Sequence, residues 1–171
     1  MATDEIVGRY AMGRLIKERI PDVQASRVNA LTTTADALWL CTASRGVLSW
    51  NGHTLVSFRQ PGESGGHCSS ILADRHDRVW AGFSSGGVAL HEHGRVRVLT
   101  ERDGVAPGLV WQIVQGNDDD VWFAASGGVS RYQHGRFTSV TTAHAPITGS
   151  SRCWSRMPRA TCGWGSTREP H

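Results

Sequence analysis

Three tryptophans, Trp39, Trp80 and Trp122, stand 41 and 42 residues apart, and the sequence around each repeats with them. The segments DALWLCTASRGVLSWNGHTLVSF from Asp36, DRVWAGFSSGGVALHEHGRVRVL from Asp77 and DDVWFAASGGVSRYQHGRFTSV from Asp119 align along their length. Each tryptophan has an aspartate three positions before it, at Asp36, Asp77 and Asp119. A glycine follows six or seven positions later, at Gly46, Gly87 and Gly128, and a second turn glycine recurs at Gly52, Gly94 and Gly135. A fixed period of this length constrains the fold more than any local propensity does, because each unit must bury its apolar face against the next copy of itself.

Each unit reads as four short strands. In the second they are CSSILAD, RVWAGFS, GVALHEH and RVRVLTE, with turns at residues 75–77, 84–86 and 93–94. The aspartate before each tryptophan suits a tight turn with a left-handed backbone, which Asp tolerates better than branched residues do. Glycine serves at the other corners. The tryptophan-centred strand is apolar on both faces, as a strand sandwiched between neighbouring sheets must be, and Trp supplies the buried area that joins one sheet to the next. Helical solenoids are excluded because the repeat has no 3.6 periodicity, and leucine-rich repeats by period and composition. A four-stranded unit of this length is a β-propeller blade. The N-terminal GRYAMGRLIKER matches SRYQHGRFTSVT, aligning Tyr10 with Tyr132, Gly13 with Gly135 and Arg14 with Arg136, so a further strand pair precedes the first full unit. The expected fold is all-β, an incomplete propeller of about three and a half blades over residues 1–149, with repeats around 8–27, 28–67, 68–108 and 109–149.

The runs DRHDRVWAG from Asp74 and GVSRYQHGRF from Gly128 resemble the two-component regulator propeller repeat, and the resemblance covers residues 8 to 142. It departs from that repeat where Asp77 and Asp119 replace a turn glycine and where Gly116 replaces the leading aspartate. The resemblance implies a ligand-sensing role in signal transduction: such repeats form the extracytoplasmic sensor portion of histidine kinases that feed a phosphorelay, often with carbohydrate-type ligands. It implies a periplasmic location for an intact parent, and the remaining blades of a longer propeller as partner. A protein-interaction scaffold and a propeller hydrolase are the other functional classes that the fold admits.

Charge does not point to nucleic acid. The net charge of +3 arises in residues 150–171, where Arg152, Arg156, Arg159 and Arg168 face Glu169 alone. The first 20 residues carry Asp4 and Glu5 and lack the apolar core of a signal peptide, and no apolar run approaches the ~18 residues of a membrane span, so the chain as written reads as cytoplasmic. Residues 150–171 lose the strand pattern and read as out of frame or disordered. Back-translated and shifted by one frame, a permitted choice of synonyms gives VLVEDAEGYLWLGVNSGA, which restores the repeat one period beyond Trp122. On this reading the chain is a truncated histidine kinase piece.

Motifs outside the repeat yield no catalytic residue, no metal and no cofactor. The GESGG run at residues 62–66 contains GxSxG, yet a nucleophile elbow needs a helix after it, and here a strand follows; the run aligns with the inter-blade loop at 104–108 and reads as a linker. His91 and His93 lack a third ligand and read as a solvated outer-strand turn. Asp118, Asp119 and Asp120 read as a solvated corner. Cys41 and Cys68 show no ligand-like spacing, and Cys41 reads as a small buried apolar residue. Trp50 and Trp111 lie outside the repeated tryptophan position, and Trp111, opening an inner strand after Pro107 and Gly108, is the candidate ligand contact.

Overall fold

A computed structural model describes residues 6–11, 14–20, 27–58 and 67–141. A hairpin, β1 (Ile6–Ala11) and β2 (Arg14–Arg19), precedes three four-stranded antiparallel sheets. Blade A consists of β3 (Val28–Thr33), β4 (Leu38–Thr42), β5 (Gly46–Trp50) and β6 (Leu55–Phe58). Blade B consists of β7 (Cys68–Ala73), β8 (Val79–Phe83), β9 (Val88–Glu92) and β10 (Arg95–Leu99). Blade C consists of β11 (Val110–Gln115), β12 (Val121–Ala125), β13 (Gly128–Gln133) and β14 (Arg136–Thr141). In every blade the strands pair in chain order, and no α-helix occurs among the described residues.

In blades A and B burial peaks at the second strand and falls away to either side. Every residue of β8 is buried, as two covered faces require, whereas Arg95, Val96 and Arg97 on the outer β10 are exposed. Charge on that edge discourages pairing with another strand. The cores lie between sheets: Trp39, Val47, Val79 and Phe83 join blade A to blade B, and Trp80, Leu90, Val110 and Phe123 join blade B to blade C.

The turns follow the expected chemistry at two of the three aspartates. Asp77 and Asp119 adopt φ of 55° and 56°, the left-handed region. Asp36 does not, because the blade A turn is one residue shorter and closes through Thr34 N–H donating to the Ala37 carbonyl at 3.0 Å. Between β9 and β10, and again between β13 and β14, a His-Gly pair makes a two-residue turn, with φ of 49° and 73° at His93 and Gly94 and 50° and 82° at His134 and Gly135. Positive φ at both central residues matches the strand twist, which is why glycine recurs there. Gly46, Gly52, Gly87 and Gly128 also have positive φ. The N-terminal hairpin keeps the register of β13 and β14: Tyr10 pairs Leu15 as Tyr132 pairs Phe137, and Ala11 pairs Arg14 as Gln133 pairs Arg136.

Candidate functional site

The repeated tryptophans need an acceptor for the indole N–H once buried, and each blade supplies one. Trp39 donates to Thr34 Oγ1 at 3.1 Å, Trp80 to Asp74 Oδ2 at 2.9 Å and Trp122 to Asp120 Oδ2 at 2.8 Å. Asp74 is held in a closed network: its carboxylate accepts from Arg78 Nε at 2.7 Å and from the backbone N–H groups of His76 and Arg78. Burial alone would raise the Asp74 pKa, but hydrogen bonds from Trp80, Arg78 and the two amides outweigh it and hold the carboxyl below its ordinary value. The Arg78 guanidinium also lies over the rings of Trp80 and Tyr132, at 5.6 and 5.8 Å from their centroids.

Blade C builds the same triple from other positions. Asp120 bonds Trp122 and Arg131 Nε, and Arg131 lies 5.3 Å from the Trp122 ring centroid. A methyl group on Gly116 would sit 1.9 Å from Asp120 Oδ1, so the displaced carboxylate fills the space that the leading aspartate leaves empty. Of the three acidic residues read as a solvated corner, Asp118 and Asp119 are exposed, while Asp120 is 4% exposed and turned inward.

The blades are joined at a repeated register along their first strands. A β-bulge falls at Asn29, Ser69 and Trp111, the second residues of β3, β7 and β11. Asn29 Nδ2 donates to the Cys68 carbonyl at 2.7 Å, and the Ser69 hydroxyl donates to the Val110 carbonyl. Trp111 occupies the third such position and is 52% exposed. The candidate ligand contact is therefore an accessible indole on an inner strand, at a register that in the other two blades reaches to the following blade. On the other strands of the same sheet, Trp122, Val129, Arg131 and Thr138 line an open groove.

The histidines and cysteines depart from their sequence reading. His91 is not a solvated turn residue: its ring centroid lies 4.7 Å from Trp39 and 6.4 Å from Phe58, in the place that Tyr132 takes against Trp80 one blade later. Desolvation lowers the His91 pKa. His93 sits apart, in the turn. Cys41 is fully buried as expected, but it is not a free thiol; it forms a disulfide with Cys68, with Cα atoms 5.2 Å apart. The GxSxG run at 62–66 and the tail at 150–171 lie outside the described residues. The loop at 104–108, with which that run aligns, is packed: Val105 and Ala106 are buried, and Ala106 N–H donates to Ser130 Oγ at 2.6 Å.

Consecutive four-stranded sheets joined face to face, first strand beside first strand, decide the architecture. The chain has a β-propeller fold. Solved structures agree with this propeller. The extracellular domain BT3049 from B. thetaiotaomicron, assigned to a hybrid two-component system, is 18% identical, with a TM-score of 0.59 over 78% of this chain and 20% of its own. Virginiamycin B lyase from Staphylococcus aureus is 15% identical, with a TM-score of 0.63 over 80% of this chain and 48% of its own. YCF48 bound to D1 peptide is 11% identical, with a TM-score of 0.57 over 81% of this chain and 48% of its own. The chain thus spans less than half the length of each of these structures. No protein-family model and no curated protein sequence matches the chain. Among the described residues no helix is long and apolar enough to cross a membrane.

Proposed function

We propose that this propeller is the ligand-sensing, non-catalytic input portion of a two-component regulatory system, with the blades around 8–27, 28–67, 68–108 and 109–149 belonging to a longer ring. The observation that carries the reading is the repeat itself: the runs from Asp74 and Gly128 resemble the regulator repeat, and the blades they build resemble an extracellular domain of a hybrid two-component system. A carbohydrate-type ligand would meet Trp111, whose exposed indole offers a flat apolar face with one N–H donor. The intact parent would present this surface outside the cytoplasm. The nucleotide sequence across codon 150 and for several kilobases beyond, read in three frames, tests the assignment. Repeats that resume and lead to a membrane span and a kinase core are expected; an intact frame with neither removes the signalling role.

A protein-interaction scaffold is the second reading. The groove beside Trp122 and the likeness to a propeller solved with a bound peptide favour it. Titration with oligosaccharides and with peptides, followed by tryptophan emission in the chain and in Trp111→Phe, separates the two. Sensing predicts a saccharide response that Trp111→Phe abolishes, and scaffolding a peptide response that it leaves in place.

A further inference from the structure

In blade B, the second strand meets the next blade through Gly82, where an added methyl would lie 2.7 Å from Val110 Cγ1. One period earlier the same two positions are Cys41 and Cys68, and the contact is covalent. We propose that this disulfide is what holds blade A on blade B, so that the joint is completed only in an oxidising compartment.

Besides the apolar core of Trp39, Val47, Val79 and Phe83, few polar contacts among the described residues cross the A/B joint. Across it Asn29 bonds the Cys68 carbonyl and Thr32 Oγ1 accepts from Ala73 N–H at 3.1 Å. The B/C joint has a counterpart of the first bond, from Ser69 to the Val110 carbonyl, has Leu72 in the place of Thr32, and adds an outer set. Arg75 N–H donates to Gln115 Oε1 at 3.0 Å, and the Arg75 guanidinium donates to the Gly116 and Asn117 carbonyls and pairs with Asp119 at 3.1 Å. The shorter turn of blade A, Thr34 to Ala37, has no basic residue to make such contacts. The interlocked rings of Trp80, Phe123, Tyr132 and Phe137 are matched in A/B by Trp39, Phe58 and the imidazole of His91. A cross-link spanning 27 residues restricts the opened chain and so restores what the weaker joint lacks.

Both cysteines are 0% exposed in the closed joint, so thiol exchange must precede closure. One cysteine thiolate attacks the disulfide of an exchange partner and expels a thiolate. The other then displaces the partner from the mixed disulfide. Two protons and two electrons leave the Cys41 and Cys68 thiols, and the partner departs as a dithiol. Such bonds persist outside the cytoplasm and are rare within it.

Trypsin places Cys41 in peptide 28–45 and Cys68 in peptide 60–75. From full-length chain secreted to an oxidising compartment, alkylated with iodoacetamide and digested without reductant, the two peptides should emerge joined. Separate alkylated peptides, or either one joined to Cys153 or Cys162, would overturn the proposal. Hydrogen exchange then compares the chain with its Cys41→Ala/Cys68→Ala variant. The β4 and β7 amides should exchange on the order of a hundredfold faster in the variant while β12 is unchanged, and equal protection in β4 sinks the idea. Should the variant not fold, wild-type chain reduced in mild urea and then alkylated gives the same readout. Loss of protection confined to blade A and the β7 strand it packs on supports the staple, and simultaneous loss in all three blades refutes it.

Discussion

The A/B and B/C joints are two solutions to one problem at one register. In B/C the tryptophan N–H goes to a carboxylate locked by Arg78, and the ring meets Tyr132 edge to face at 4.7 Å. In A/B the N–H goes to the Thr34 hydroxyl, the ring meets His91 at the same 4.7 Å, and a disulfide lies beneath. What repeats is the demand for an acceptor, a ring and a close approach of strands, and not the residues that meet it. Blade C shows the same freedom within one element, since Asp120 and Arg131 rebuild from new positions what Asp74 and Arg78 make in blade B.

Substitutions can break that comparison at decreasing cost. Trp80→Ala removes a fully buried ring from the B/C core, and a loss of about 3–5 kcal/mol in urea unfolding is expected, larger than for the half-buried Trp122→Ala. Asp74→Asn keeps an acceptor for Trp80 but strands the Arg78 guanidinium, costing about 2 kcal/mol at pH 7. Because the folded-state pKa of Asp74 lies below its ordinary value of 3.8, its contribution is present above that value and lost as pH falls through the folded pKa; Asn should flatten that acid limb of the stability curve. His91→Tyr copies the B/C joint into A/B. Burial depresses the His91 pKa below 6.5, so the wild type weakens as pH falls through 6.5 while the unfolded chain takes up the proton. Tyrosine should abolish that slope and raise stability by about 0.5–1 kcal/mol at pH 6. Arg75→Ala, at a pair whose side chains are 47% and 58% exposed, should change stability by less than about 1 kcal/mol, an effect that salt diminishes further. If Arg75→Ala proved as costly as Asp74→Asn, the ranking of the two joints would have to be redrawn around the outer turn.

What could be read in the sequence was what the period carries. The four strands of blade B, the left-handed Asp77 and Asp119, the buried Trp39 and Trp80 and the register of the N-terminal hairpin all follow from aligning one unit with the next. Residues that answer to a neighbouring blade were harder to read. Cys41 and Cys68 lie on different strands of different units, and their pairing shows only once the second strand of one blade is known to touch the first strand of the next. His91 looked polar beside Glu92 and His93, although its alignment with Tyr132 marked it as a ring position. Asp120 was hidden by two acidic neighbours, and the clue was the absent aspartate at Gly116, which obliged some other carboxylate to serve Trp122. For Trp111 the structure supplies exposure and register, while its role in binding stays with the titration above.

The bulge side chains of Asn29 and Ser69 reach forward along the chain, each gripping the main chain of the unit that comes after its own. The array therefore has a polarity, like a row of hooks all facing one way. Gain or loss of whole units leaves every hook with an eye to catch. A single-residue insertion in a first strand would turn its hook to the opposite face of the sheet and part the row at that point.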